Sequence, residues 1–306
     1  MAIEPLPPRI LVAHIPGLVC NEDCFARGGF KWVYRASVQN RVEALKVLLM
    51  HAIDDPSADA DVRDAFLREQ FARVRREIEA LGKCRVPQIV KLGGIPPTDF
   101  EINGVHYLAY SEEFVEGTDL WQRIQTDPER PPLQELIDLF VALLTCVDEL
   151  WKHGYVHRDI KPSNILKTGN QERPFVLLDL GIAYAVHETS LTYRPQERMP
   201  LATYRYLAPE MMRPDFRSRI DYRTDLYTTG MTVYEYAAGR HPLARDADDL
   251  MQTISRAMRQ APTPLAQHRS DLPREFCDLV DSLLKKKPAL RPANLKMLFR
   301  KLEGMR

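Results

Sequence analysis

Residues 155–166 read YVHRDIKPSNIL and crowd a histidine, an arginine, an aspartate, a lysine and an asparagine into the eight positions from His157 to Asn164. Groups of these types, brought together, are the materials of proton transfer and charge neutralisation. Their surroundings are apolar, Tyr155-Val156 on one side and Ile165-Leu166 on the other. A plain surface loop needs no such brackets, and a core strand does not tolerate unpaired charges. The pattern predicts short buried strands supporting a loop whose polar groups converge on a common object.

The elements that must hold this loop are legible in outline. Residues 9–48 alternate short apolar runs with glycine and polar residues, as antiparallel strands joined by turns do, and VEALKVLLM (42–50) is the clearest strand. A helix is expected from Asp61 to Leu81, with Val62, Phe66, Phe71, Val74, Ile78 and Leu81 at helical spacing and Gly82 as its stop. IVKLGGI and VHYLAYSEEFV read as two more strands. After Gly117 the character changes: LQELIDLFVALLTCVDELWKHG (133–154) is an amphipathic helix, and further helices are expected at 221–239, 246–260, 273–286 and 292–304. A strand-rich first third therefore precedes a helix-rich remainder, with the boundary near 114–118.

Composition narrows the possible partners. The 306 residues allow one large domain or two lobes. Lys plus Arg and Asp plus Glu are both 42, so no global charge draws the chain to nucleic acid or an anionic membrane. The five cysteines (20, 24, 84, 146 and 277) are scattered, and no second Cys or His pair near Cys20 and Cys24 completes a zinc spacing. Reduced thiols in a cytoplasmic protein are the expectation. The proline-broken N-terminus, MAIEPLPPRILVAHIPG, does not read as a signal peptide, and no window approaches a membrane span.

The order of motifs then identifies a resemblance. HRDIKPSN, followed by Asp179-Leu180-Gly181 and by Ala208-Pro209-Glu210, is similar to the signature set of eukaryotic-type Ser/Thr protein kinases. The resemblance implies an α+β, bilobal fold: an N-lobe antiparallel sheet with one main helix (21–113), a hinge (113–117) and a mostly helical C-lobe (118–306), behind an N-terminal extension of residues 1–20. It implies ATP and Mg²⁺ as cofactors and the hydroxyl of a protein substrate as acceptor. Asp159 would take or orient the proton of the attacking hydroxyl, Lys161 would offset charge on the transferred phosphoryl group, and Asn164 and Asp179 would supply hard oxygen ligands to Mg²⁺. Lys46 in EALKVLL fits the strand lysine that grips the α- and β-phosphates, with Glu77 of RREIEAL as its partner. Val33, Ala44 and Leu166 would sandwich adenine, the backbone of Glu113 to Val115 would read its edge, and Asp119 would accept from the ribose hydroxyls. By the same alignment Glu112 guards the back of the adenine pocket, where an acidic residue is unusual for the family. Leu81, Leu92, His157 and Leu180 match the apolar stack of active kinases. Asp225 would brace the catalytic loop, and Arg291 would pair with Glu210.

The resemblance has one clear break and one regulatory consequence. In FARGGFKWVYRA the phosphate-covering loop keeps Gly28, with Gly29 beside it, but Ala26 and Lys31 replace two glycines of the family pattern. A different nucleotide grip is the question this raises. Between Asp179 and Glu210 lie Thr189, Ser190, Thr192 and Tyr193, an expected phosphorylation cluster whose phosphate Arg158 would bind, with Thr192 the leading candidate. Thr203 and Lys161 point to Ser/Thr rather than tyrosine acceptors. An activating partner is compatible with this arrangement, whereas nucleic acid and membrane are not expected partners. Two other readings stay open: a small-molecule kinase, which would ordinarily lack Ala208-Pro209-Glu210 and Arg291, and a pseudokinase, against which Lys46, Asp159, Asn164 and Asp179 stand.

Overall fold

A computed structural model describes residues 4–27, 31–50, 60–180, 184–185, 204–213, 215–216, 220–245 and 247–306. The chain divides into two units, the first comprising Met1–Gly82 and Val90–Val115 and the second Lys83–Ile89 and Glu116–Arg306. Among the described residues, no helix is long and apolar enough to cross a membrane.

The first unit is an antiparallel sheet with a helix before it and a helix within it: α1 (Pro8–His14), β1 (Leu18–Val19), β2 (Ala26–Arg27), β3 (Lys31–Val38), β4 (Arg41–Met50), α2 (Ala60–Lys83), β5 (Thr98–Ile102) and β6 (Val105–Glu113). The strand order is β1-β3-β4-β6-β5, with β2 also on β3. Two-residue turns close the β3–β4 and β5–β6 hairpins, at Gln39-Asn40 (φ 48° and 64°) and Asn103-Gly104 (φ 51° and 78°). Positive φ at both turn residues gives the backbone twist that such hairpins require.

Strand alternation sorts the side chains of this sheet onto two faces. Trp32, Tyr34, Ala36 and Val38 of β3 join Leu45, Val47 and Leu49 of β4 and Tyr107 and Ala109 of β6 in one buried core. The opposite face carries Val33, Ala44, Lys46, Tyr110 and Glu112, in the register Val33↔Lys46↔Tyr110 and Ala44↔Glu112. Glu77 of α2 meets this second face, accepting a hydrogen bond from the Tyr110 hydroxyl at 3.1 Å.

Three expectations are revised here. Residues 1–20 do more than extend the domain: Leu11, Ile15, Leu18 and Cys20 belong to the sheet's core, and the Tyr34 hydroxyl donates to the Leu6 carbonyl at 2.8 Å. Helix α2 runs through Gly82 to Lys83 instead of stopping at the glycine. IVKLGGI forms no strand; it touches its neighbours through the isolated bridges Ile89↔Leu177 and Leu92↔Glu112. Its backbone still bonds β6 at Lys91, Gly93 and Ile95, but the two N–H groups after Gly93 turn to side chains, Gly94 to the Glu43 carboxylate and Ile95 to the Ser111 hydroxyl.

The second unit is mostly helical. Its elements are β7 (Thr118–Asp119), α3 (Leu120–Thr126), α4 (Leu133–Lys152), β8 (Tyr155–Val156), β9 (Ile165–Lys167), β10 (Phe175–Leu177), β11 (Tyr184–Ala185), α5 (Tyr222–Ala238), α6 (Leu250–Arg259), α7 (Arg274–Leu283) and α8 (Leu295–Glu303). Helix α4 buries one face from Leu136 to Leu150, whereas α5 is buried on every side from Thr224 to Ala238. A helix enclosed all round is a fixed post, and the polar groups it carries can brace loops from inside the unit.

Candidate active site

The loop between β8 and β9 is held from below by α5. Asp225, buried on α5, accepts from the backbone N–H groups of His157 and Arg158, each at 2.8 Å. Arg158 adopts φ 72°, a left-handed conformation costing a non-glycine residue about 1–2 kcal/mol, which these two charge-assisted bonds offset. Burial pushes the Asp225 carboxyl up to about 7, against the pull of the two N–H donors. His157 is fully buried and its Nδ1 accepts from the Asp159 N–H at 3.2 Å; burial lowers the imidazole to about 4, so it stays neutral.

Asp159 gathers the polar groups of the loop. Lys161 Nζ lies 2.9 and 2.7 Å from its two carboxylate oxygens. Asn164 Nδ2 donates to the Asp159 carboxylate at 3.0 Å and to its carbonyl at 2.9 Å. Because the amide nitrogen is committed there, the amide oxygen of Asn164 is turned away from Asp159, available to a hard cation. Burial raises the Asp159 carboxyl, and the Lys161 ammonium opposes that shift. The Leu178 N–H donates to the Asn164 carbonyl at 2.8 Å, which brings the chain before Asp179 alongside Asn164. Asp179 itself has φ 62°, a second left-handed non-glycine residue beside this cluster.

Asp119 and Leu166 face each other across the β7–β9 ladder. The Asp119 carboxylate caps α3, accepting from the Gln122 N–H at 2.8 Å, a role compatible with contacts to a sugar hydroxyl. In the first unit, Lys46 Nζ lies 2.5 Å from Glu112 Oε1, with both side chains buried. Glu113 is fixed at the end of β6: its N–H donates to the Lys91 carbonyl at 2.9 Å, and its carboxylate accepts from the Lys91 N–H at 2.8 Å. Val33 and Ala44 are half-buried on the same face as Lys46, and Val115 is half-buried just beyond β6. Of the apolar stack, Leu81, His157 and Leu180 are buried whereas Leu92 is exposed.

Further bracing holds the chain around Ala208-Pro209-Glu210. The Arg291 guanidinium grips Glu210 with two bonds, of 2.6 and 2.8 Å, and both side chains are buried. The Thr224 hydroxyl adds a third donor to Glu210 at 3.0 Å. Two members of this neighbourhood lie outside the sequence reading. The Tyr206 hydroxyl donates to Glu235 of α5 at 2.5 Å. His241 Nε2 contacts the Arg205 carbonyl at 3.0 Å while its Nδ1 accepts from the Leu243 and Ala244 N–H groups, which fixes the Nε2–H tautomer. Only the tyrosine's place two residues before Ala208 could have signalled either contact.

A family model for the protein kinase domain matches residues 26–301. The chain belongs to the protein kinase domain family. Among curated relatives, the serine/threonine-protein kinase PknH of Mycobacterium tuberculosis is 30% identical over 272 residues, covering 88% of this chain and 38% of the relative. PknB of Mycobacterium leprae is 27% identical over 253 residues, covering 82% of this chain and 37% of the relative. The solved Mycobacterium tuberculosis PknI kinase domain superposes with a TM-score of 0.65 at 21% identity, covering 95% of this chain and 97% of that one, and shows the same fold. The chain spans only 30–40% of the length of the curated relatives it matches.

Several sequence-based assignments in this kinase domain fall outside the described residues: Gly28 and Gly29 of the phosphate-covering loop, and Thr189, Ser190, Thr192, Tyr193 and Thr203 before Ala208. Over residues 181–210, Tyr184–Ala185 and residues 204–210 are described, and Tyr184–Ala185 pairs antiparallel with β8. The ion pair of Lys46 with Glu112 is the feature that sequence reasoning passed over. It singled out Glu112 as an unusual acid, but only the β4–β6 register puts that acid within reach of Lys46.

Proposed function

We propose that this kinase domain transfers the γ-phosphoryl group of ATP to serine or threonine hydroxyls of a protein substrate. The observation that carries the reading is Asp159, with Lys161 on its carboxylate and Asn164 turned by it, in a loop anchored on a buried helix. Asp159 accepts the proton of the substrate hydroxyl as its oxygen bonds to the γ-phosphorus and the bond to the β,γ-bridging oxygen breaks, releasing ADP. Lys161, three ångströms or less from that carboxylate, is placed to offset negative charge on the moving group. Lys46 grips the α- and β-phosphates, with Glu77 among the groups that keep it in place, and Val33, Ala44, Leu166 and Asp119 hold the nucleoside.

The donor set fits Mg²⁺: a carboxylate at Asp179 and an amide oxygen at Asn164 whose orientation is set by two hydrogen bonds. Bound there, Mg²⁺ would supply neutralisation of phosphate charge. Serine or threonine acceptors are in keeping with Lys161, with Thr203 and with the names of the related kinases. Phosphorylation of the segment holding Thr189, Ser190, Thr192 and Tyr193, read by Arg158, is the regulation this reading carries, with or without an activating protein partner. The five cysteines, all free thiols, suit a cytoplasmic setting.

The test is intact mass and phosphosite mapping after incubation with Mg²⁺-ATP and a generic protein substrate, with Asp159→Asn alongside. The wild type is expected to place phosphate on Ser or Thr, and Asp159→Asn to lose at least ~10²-fold in rate. Equal labelling by both proteins, or labelling confined to tyrosine, would sink the assignment.

A further inference from the structure

Four buried polar side chains share one face of the first unit: Lys46, Glu77, Tyr110 and Glu112. Lys46 Nζ contacts Glu112 Oε1 at 2.5 Å and lies 5.6 Å from the centroid of the Tyr110 ring. The Tyr110 hydroxyl in turn donates to Glu77 Oε1 at 3.1 Å. The register explains the geometry. Lys46 stands directly opposite Tyr110, and Ala44 opposite Glu112, so Lys46 and Glu112 are a diagonal cross-strand pair. Diagonal neighbours are reachable by long side chains, and at Ala44 only a methyl group intervenes.

A carboxylate that is 2% exposed is unfavourable without a cation, and Lys46 is a cation at contact distance. The bond also serves the lysine. Its flexible four-carbon stem carries an ammonium with three N–H donors and no fixed direction. A donor committed to Glu112 fixes the stem and sets the direction of the ammonium. We propose that Glu112 is a positioning residue for Lys46, a second carboxylate besides Glu77 that aims the ammonium at the nucleotide's phosphates. This rests on the reading of Lys46 as the phosphate-gripping lysine.

The decisive readout is the ratio of the affinities for Mg²⁺-ADP and for adenosine, measured by titration calorimetry on the full chain. Adenosine reports the nucleoside pocket alone, so a merely structural role of Glu112 would weaken both ligands and leave the ratio in place. Lys46→Ala sets the ratio without the lysine. Glu112→Gln, near-isosteric and neutral, is expected to bring the ratio down roughly tenfold, most of the way to the Lys46→Ala value. Glu112→Asp, which keeps the charge but withdraws it by one methylene, is expected to lose roughly threefold and answers the question if the glutamine variant does not fold. A ratio unchanged or increased in a folded Glu112 variant, with Lys46→Ala still abolishing it, overturns the role of Glu112 alone. A wild type that shows no preference for Mg²⁺-ADP overturns the nucleotide reading of Lys46 and this inference together.

Discussion

Asp225 is buried and His241 half-buried on the second unit, and desolvation pushes them in opposite directions. Asp225 is raised to about 7, which favours its neutral form, yet its two backbone donors need the charge. His241 is lowered to about 3, chiefly by burial and then by the charge of Arg205. Its contribution to stability has a definite sign. Below the ordinary histidine value of about 6.5 the unfolded chain takes up a proton that the folded chain refuses, so stability falls as pH drops from there toward 3. Between pH 6.5 and 5 that loss is about 2 kcal/mol. His241→Gln is therefore expected to be less stable at pH 7 but to lose about 2 kcal/mol less than the wild type on going to pH 5, as urea titrations at both pH values would read. At this scale the Asp159 cluster was legible because its partners lie within five residues of one another. His241 and Glu112 were not, because their partners are 36 and 66 residues away.

Helices and hairpins record a different balance of local and distant forces. The β3–β4 and β5–β6 turns follow from short polar pairs that tolerate positive φ, a preference written in the local sequence. The end of α2 does not follow locally: Gly82 is a helix breaker by propensity, yet the helix continues through it. Gly230, in the middle of α5, is the clearest case of packing overruling propensity. A Cβ added there would stand 2.8 Å from Leu283 Cβ and 3.1 Å from Leu284 Cδ2, so the glycine is what lets α5 approach α7. Exposed helical sites gain about 1 kcal/mol from Gly→Ala. Gly230→Ala is instead expected to destabilise the chain by about 1–2 kcal/mol, because overpacking outweighs that gain. A denaturation midpoint above that of the wild type would contradict the close approach of the two helices.

Over the whole chain, the division into units departs from a simple split of the sequence. Lys83–Ile89 belongs with the second unit, tied there by the Arg85 N–H to Glu149 and the Leu177 N–H to the Gln88 carbonyl. The N-terminal residues complete the core of the first unit, where Leu11 is 0% and Ile15 1% exposed. A chain beginning at residue 21 is therefore expected to lose roughly 3–6 kcal/mol of stability, from about 1.5–3 kcal/mol for each of those two side chains. Leu11→Ala alone should cost ~2–5 kcal/mol. Thermal melting of the three proteins checks this, and a shortened chain as stable as the full one would remove the first twenty residues from the fold. The sequence by itself determined the family and the grouping of Asp159, Lys161 and Asn164 in one loop, because family motifs are contiguous and a loop's polar contacts depend on neighbours in the chain. Tertiary structure alone decided that Lys46 meets Glu112, that Gly230 admits α7 and that α1 closes the core. Each is a contact between distant segments, fixed by register and packing that no local pattern encodes.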